Sequence, residues 1–286
     1  MLASGTLALA ALRPNSNSPM PTPYSAQTLL IEGPDAIAFA HAQFSSKVNS
    51  LAIGKWQFSA WLNPQGRVRA LFHLARVADD RLLLLLRGGS AEAMTEALRR
   101  FVFRSKLTLT AVSARGLATS SALPMHVVRD EGETLALGCG THSMQIEAAG
   151  GSDDHWHLPQ MLEGWPWLPE RSLDELLPPA LSLQRLQAVV IDKGCYPGQE
   201  IVARLHYRGG HKQHLHSVVL SQPAIAGEPL RRDGRDIGML LDVITTNEDI
   251  KALAVLHDDA VSTKTNGRLN ALDDKLVIDV NTSWPA

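Results

Sequence analysis

Residues 192–210 read DKGCYPGQEIVARLHYRGG and are the most distinctive stretch of the chain. Two glycines and a proline surround Cys195, a pattern that predicts a tight loop bringing the thiol and the backbone close to a ligand. Residues 199–208 predict a helix, which the glycines at 209–210 end. The stretch therefore predicts a cysteine that lies just before the N-terminus of a helix.

The thiol of Cys195 is a candidate functional group. A helix N-terminus and a nearby ammonium, that of Lys193, both favour the thiolate form. The spacing leaves two interpretations open, a reactive thiol or metal ligand and a small buried side chain in a turn. Cys139 stands in a Gly-Cys-Gly turn without an adjacent cation and is the internal control.

Histidines crowd after this motif, and two further readings follow from them. With Cys195 they could imitate a zinc site, but no second cysteine or acidic cluster completes a tetrahedral set, so we predict no metal. A hydrolase with Cys195 as nucleophile and a histidine as base is another alternative, although nothing marks an orienting third residue. The histidines concerned are His206, His211, His214 and His216.

Length and composition bound the class of protein. A chain of 286 residues is long enough for two domains or three small ones. The net charge of −2 gives no global electrostatic reason to bind nucleic acid or an anionic membrane. The longest apolar stretches are too short to span a bilayer, and two cysteines cannot form a disulfide framework. We therefore expect a cytoplasmic protein.

The first 115 residues predict an extension followed by an α+β unit. Residues 1–23 are rich in Pro, Ser and Asn after a short apolar start, which predicts a disordered extension. A strand, a helix, strands, a second helix and a strand then follow, as in a split ferredoxin-like unit. The predicted strands are 27–32, 55–62, 67–77, 81–86 and 107–112, and the helices begin after Asp35 and span 91–103 with Ser90 as cap.

The rest of the chain predicts mostly β structure around the cysteine motif. Residues 125–158 contain short β-like runs, including HWHL at 155–158. Residues 173–177 and 183–190 read as helical or buried segments. From residue 214 onward, short strands separated by turn residues predict a small antiparallel barrel or sandwich.

Residues 193–209, KGCYPGQEIVARLHYRG, resemble the signature of the YgfZ family. These are folate-binding relatives of the glycine cleavage T-protein, implicated in iron–sulfur cluster maintenance and, in bacteria, in tRNA modification. Weaker similarity covers IEGPDAIAFAHAQFSSKV (31–48), WLNPQGRV (61–68), GWPWLPE (164–170) and DGRDIGML (233–240).

The resemblance implies an α+β fold of three small domains in a ring around a folate-binding hole, the last a β-barrel. The predicted divisions are the extension 1–23, a ferredoxin-like domain 24–115, a middle domain 116–211 that carries the motif, and a barrel 212–286.

Folate is the cofactor that the resemblance implies, as tetrahydrofolate or another reduced form. A pterin ring needs a flat apolar face, which the indoles of Trp165 and Trp167 can supply, although tryptophans near each other also pack between domains. Lys193 and Arg204 are candidates for the carboxylate tail of folate, and for Arg204 a helix pair with Glu200 is the alternative. The predicted folate-binding residues are Lys193, Gly194, Tyr196, Gly198, Gln199, Glu200, Arg204, Trp165 and Trp167.

Two functions are compatible with this resemblance. The first is a tetrahydrofolate-binding accessory protein for iron–sulfur cluster assembly or repair, with an indirect effect on tRNA modification. The alternative is a folate-dependent aminomethyltransferase. The T-protein places acidic residues just after the turn that corresponds to residues 65–66, where this chain has Arg69 and Ala70, so transfer is not expected unless Asp79 or Asp80 takes that part.

The expected partners follow from the first function. They are a small-molecule folate and iron–sulfur assembly proteins or their client enzymes. We expect no direct contact with nucleic acid, no membrane contact, and a monomer.

Overall fold

The computed structural model describes residues 25–132, 134–147, 153–261, 267–272 and 275–284. The predicted disordered extension, residues 1–23, lies outside the described residues. Within the described part the chain forms two antiparallel sheets and short helices, with a largely irregular segment between the sheets. No helix among these residues is both long and apolar enough to cross a bilayer.

The first sheet has eight strands in the order β2-β3-β4-β1-β5-β8-β7-β6. The strands are β1 (Ala26–Glu32), β2 (Lys55–Leu62), β3 (Val68–Ala78), β4 (Arg81–Leu86), β5 (Thr108–Ser120), β6 (Val128–Asp130), β7 (Thr134–Gly138) and β8 (Ser143–Glu147). Two helices accompany it, α1 (Ala36–Gln43) and α2 (Ala91–Arg99).

Both faces of this sheet are buried around β4. Leu82, Leu84 and Leu86 pack in the core that includes α1 and α2, whereas Leu83 and Leu85 belong to a second core on the opposite side. A strand buried on both faces is apolar throughout rather than alternating, which explains the run of five leucines.

The structure corrects two expectations in this half. The second helix ends at Arg99 instead of residue 103. Strand β5, predicted to end at residue 112, continues to Ser120, and it pairs with β1 as far as Arg115 and with β8 from Gly116 onward. The three predicted strands between α1 and α2 are present. The ferredoxin-like unit and the three-domain ring stay predictions.

The segment after the first sheet contains little regular structure. The prediction of β structure at 155–158 was wrong, because these residues turn into the short helix α3 (His157–Leu162). Two hydrogen bonds close the turn, from the Trp156 indole to the Asp153 carbonyl (2.9 Å) and from the His157 amide to the Asp154 carbonyl (2.8 Å). Helix α4 (Gln199–Arg208) follows with the predicted bounds.

The second sheet is a nearly closed barrel of six strands, in the order β10-β11-β12-β9-β14-β13. The two terminal strands meet where the Leu272 amide donates to the Arg231 carbonyl (2.7 Å). The predicted C-terminal barrel is therefore confirmed. Its elements are β9 (Gln213–Leu220), β10 (Pro229–Arg232), β11 (Arg235–Thr245), β12 (Ile250–His257), α5 (Asp258–Val261), β13 (Arg268–Ala271) and β14 (Leu276–Trp284).

Candidate functional site

The loop at residues 193–198, here called the cysteine loop, packs against the turn between β2 and β3. Gly198, at the start of α4, and Gly66, in that turn, both have positive φ values, 77° and 76°. A Cβ on Gly198 would stand 2.5 Å from the Asn63 carbonyl oxygen and 2.7 Å from the Gly66 Cα. Only glycine allows this approach of backbone to backbone.

Lys193 ties the cysteine loop to the C-terminal end of α1. Its ammonium donates to the carbonyl oxygens of His41 (2.6 Å), Phe44 (2.5 Å) and Ser46 (2.9 Å). These three bonds use all three donors of the group, and the end of a helix favours a cation. Burial lowers the pKa of Lys193 to about 8, so the charged form still prevails at pH 7.

Two further motif side chains hold the loop's own backbone. The buried Tyr196 donates its hydroxyl to the Val190 carbonyl (2.9 Å), and burial raises the pKa of this phenol. The side-chain amide nitrogen of Gln199, Nε2, donates to the carbonyls of Ile191 (3.0 Å) and Lys193 (3.2 Å). Three predicted folate-binding residues thus direct polar groups at protein backbone.

Cys195 is exposed on this braced loop, so the interpretation as a buried side chain was wrong. It lies in an open depression of about 490 Å³ that Pro64 and Ile201 also line. Among the described residues, no hydrogen bond joins Lys193 to the thiol, because its donors face α1. Activation of the thiol by Lys193 stays a prediction.

Cys139 differs from Cys195 in its surroundings. It is buried, and its thiol donates to the Leu137 carbonyl (3.4 Å). Burial raises the pKa of Cys139 to about 12. The expectation that no cation lies near needs correction, since the Arg87 guanidinium acts in the opposite direction, but more weakly.

The remaining predicted residues of the motif, Gly194, Glu200 and Arg204, are exposed. The predicted helix pair is not formed, since no ion pair links Glu200 to Arg204 within the part of the chain that the structure describes.

The two predicted tryptophans, Trp165 and Trp167, lie apart from the cysteine loop's depression, which Tyr196 lines. Trp165 is buried, in edge-to-face contact with Phe58 at 5.1 Å between ring centroids. Trp167 is half-buried, 5.2 Å from the fully buried Trp156, and the Arg87 guanidinium stacks on it at 5.0 Å. Core packing therefore accounts for Trp165, while Trp167 lines a separate cavity of about 370 Å³.

A cavity of about 570 Å³ lies between the β2–β3 turn, residues 171–177 and the barrel. Arg67, next to Gly66, lines it, so one turn contacts both the cysteine loop and this cavity. The Arg67 guanidinium pairs with the Glu175 carboxylate at 3.6 Å and also donates to the Glu175 carbonyl.

Sequence reasoning missed the residues that line this cavity, although Arg67, Asp236, Gly238 and Met239 stand in stretches that resemble the YgfZ family and Arg171 directly follows one. Two arginines and two carboxylates come from three separate segments of the chain. The lining residues are Arg67, Arg171, Glu175, Leu176, Leu177, Gln213, Gly227, Pro229, Asp236, Gly238, Met239 and Val255.

The structure shows the surroundings of the positions that were considered for a catalytic carboxylate of aminomethyl transfer. Arg69 pairs with Asp174 at 3.4 Å and stacks on the Trp61 ring at 4.3 Å. Asp79 and Asp80 are exposed in the β3–β4 turn, as predicted for a turn pair.

Two of the four histidines after the motif contact different polar partners. His214 contacts the Asp258 carboxylate at 2.5 Å, and His216 contacts the Ser283 hydroxyl at 2.8 Å. In the described ranges, no three His, Cys, Asp or Glu side chains are grouped so as to hold a metal ion.

The fold resembles that of a solved aminomethyltransferase. The chain superposes with a TM-score of 0.66 on the glycine cleavage system aminomethyltransferase T from Bartonella henselae, at 17% identity over 90% of this chain and 83% of that one. The architecture is therefore that of the aminomethyltransferase T fold.

Sequence comparison then gives the nearer relationship. The chain is 24% identical to the tRNA-modifying protein YgfZ of Klebsiella pneumoniae, over 85% of this chain and 90% of that protein. The YgfZ of Sodalis glossinidius is also 24% identical, over 70% and 71%. An uncharacterised protein of Haemophilus influenzae is 26% identical, over 86% and 91%. No family model matches. These similarities confirm the resemblance to YgfZ proteins.

Proposed function

We propose that the protein binds a reduced folate such as tetrahydrofolate and serves as an accessory factor in iron–sulfur cluster assembly or repair in the cytoplasm. Its effect on tRNA modification is indirect, through the cluster enzymes. The observation that carries the proposal is one turn, residues 63–67, that contacts both the exposed cysteine loop and the arginine-lined cavity.

The residues of this cavity fit the chemistry of a folate. Its volume falls within the roughly 300–1,000 Å³ typical of small-molecule sites. Arg171, and the N–H groups of Arg67 that Glu175 does not use, offer donors for the carboxylate tail, and the second carboxylate oxygens of Glu175 and Asp236 offer acceptors for the N–H groups of a pterin ring. Apolar contact with the ring would come from Leu176, Leu177, Met239 and Val255.

This assignment changes the residues expected to hold the tail. Lys193 and Arg204 were predicted for that part, but the three donors of Lys193 already bind carbonyls of residues 41–46, and Arg204 is exposed on α4 and does not line the cavity. In the proposed function, Lys193 positions the cysteine loop, and the arginines of the cavity recognise the ligand.

The melting temperature measured with and without tetrahydrofolate tests whether the protein binds this ligand. A ligand that binds only the folded state at 100 times its Kd stabilises by about 2.7 kcal/mol, which raises the melting temperature by several degrees. Arg171→Ala is expected to reduce this shift, whereas Arg129→Ala, an exposed residue of β6 outside the cavity, keeps it. No shift at millimolar folate would argue against the proposal.

An aminomethyltransferase is the second candidate, because the carboxylates of Glu175 and Asp236 line the same cavity. Against it, Glu175 is paired with Arg67, and Arg69 occupies a position where the T-protein has an acid. Glycine-cleavage exchange with the lipoyl partner protein separates the two functions. Substantial exchange activity would favour the transferase, and folate binding without exchange favours the accessory factor.

A further inference from the structure

Helix α4 packs against the protein along one side. Val202 is its one buried residue, Ile201 and Leu205 are partly covered, and the Gln199 side chain donates to two carbonyls of the preceding segment. This is the narrow apolar side of an amphipathic helix, and the opposite side of α4 is left exposed.

The side of α4 opposite Val202 presents a continuous stripe. At 100° per residue, Glu200, Arg204, Tyr207 and Arg208 fall within one sector, about half a turn from Val202. All four are exposed, and Tyr207 is 77% exposed. We call these four residues the outward face of α4.

The composition of this face is that of a protein-binding surface. Tyrosine and arginine are the residue types enriched at the energetic centres of protein interfaces. Arg204 and Arg208 form no ion pair with any described residue, so their guanidinium groups are available to a partner. Lys212, exposed shortly after the helix, adds a further positive charge.

We propose that the outward face of α4 docks an acidic protein surface. Charge complementarity selects a partner whose carboxylates meet Arg204 and Arg208, with Tyr207 packed between them. Two arginines and one lysine in a chain of net charge −2 form a small basic patch rather than the extended one that a phosphate backbone requires, which favours a protein over RNA. The helix is about 15 Å long, so the face by itself makes a small contact of the transient kind.

This inference rests on the proposed function, for which it names the surface that meets an assembly protein or client enzyme. Cys195 lies on the loop that enters the same helix, and that loop is fixed by Lys193 and Gly198. A partner seated on α4 therefore stands beside the exposed thiol. Docking comes first and requires no covalent step.

The partner can be identified and measured in two stages. A photo-reactive benzoylphenylalanine substituted at Tyr207 of the full chain is cross-linked in the cells of origin, and the cross-linked peptide is identified by mass spectrometry. The identified protein is then purified, and its affinity is measured for the unmodified chain, for Arg204→Glu with Arg208→Glu, and for Tyr207→Ala. We expect a cross-linked peptide rich in Asp and Glu and a loss of affinity of at least tenfold in both variants.

The control is Arg100→Glu with Arg104→Glu, two exposed arginines with the same spacing on the segment after α2. It is expected to change the affinity less than twofold. A cross-link to RNA, to a second copy of the chain or to nothing, or an affinity that the α4 variants leave unchanged, overturns the proposal.

Folate binding serves as the independent readout. The α4 variants are expected to keep the melting-temperature shift with tetrahydrofolate, because none of their residues lines the arginine cavity. Loss of docking with an intact shift supports the inference. Absence of the shift in the unmodified chain, with docking intact, overturns the folate assignment and leaves the docking surface standing.

Discussion

Gly198 lies so close to Gly66 that a Cβ on Gly198 would stand 2.7 Å from the Gly66 Cα. In return, a Cβ on Gly66 would stand 2.9 Å from the Cβ of Ile201 in α4. The turn between β2 and β3 and the cysteine loop are therefore one packed unit. Gly66 and Gly198 belong to two stretches far apart in the sequence, and both are needed for the contact between this turn and the cysteine loop.

Gly198→Ala is expected to destabilise the protein. The left-handed backbone costs an ordinary residue about 1–3 kcal/mol, and the overlap with the Asn63 carbonyl and Gly66 adds to this. Gly194→Ala, in the same loop, is the matched control, because a Cβ there meets no atom within 4 Å and surface changes cost about 0.5 kcal/mol or less. Urea unfolding measures both variants, and equal free energies of unfolding would contradict the packing argument.

Alkylation at neutral pH should modify Cys195 far faster than Cys139. Cys195 is exposed, whereas Cys139 is buried with its pKa raised to about 12, so it provides little accessible thiolate. Peptide mapping after brief treatment with iodoacetamide gives the ratio. Equal labelling would show that the buried thiol becomes accessible on the timescale of the reaction.

Cys195→Ala should leave folding nearly intact because the side chain is exposed, yet lower the iron–sulfur enzyme activities restored to a deletion strain. Chemical unfolding and enzyme assays of complemented cells measure the two effects. A stable variant that complements fully removes the thiol from the function and leaves the loop's role to its backbone.

Acid should destabilise the protein through His216. Burial lowers the pKa of His216 to about 4, the nearby His214 acts in the same direction, and Asp258 opposes them. In the unfolded chain, His216 takes up a proton near pH 6.5, whereas in the folded protein it does so only near pH 4. The free energy that the neutral imidazole contributes to folding is therefore fully present above pH 6.5 and is lost as the pH falls from about 6.5 to about 4. Unfolding at pH 7, 5.5 and 4.5 should show a shallower loss for His216→Leu. If the free energy of unfolding fell equally with pH in both proteins, another group would cause the acid sensitivity. The buried His73, whose pKa is also lowered, is the next candidate.

The barrel is joined to α3 by a buried pair, in which His157 Nε2 lies 2.7 Å from Asp242 Oδ2. The two side chains are 6% and 2% exposed. Asp242→Ala is expected to cost about 1–3 kcal/mol, because it removes the hydrogen bond to a buried imidazole. Glu32→Ala, which removes the more exposed pair with Arg81, should cost about 1 kcal/mol or less in the same unfolding assay.

Local sequence determined the elements and the strongest motif of this protein. The bounds of β2, β4 and α4 follow from residue spacing and from turn residues, since these signals act between neighbours in the chain. The barrel was likewise predictable from its succession of short strands, although β10 and β13, with four residues each, were too short to detect. The motif KGCYPGQE also sufficed to indicate the resemblance to YgfZ proteins.

Only the tertiary structure decided what the motif's side chains do. Lys193 binds the end of α1 and Trp165 enters the core, although the sequence had predicted ligand contacts for both. Arg67, Arg171 and Asp236 come together in one cavity from segments far apart in the chain. Spacing records which residues are neighbours along the chain, whereas a ligand site depends on long-range packing. The contacts of the Lys193 ammonium and the Trp165 indole therefore depend on how the sheets, the β2–β3 turn and the barrel pack together.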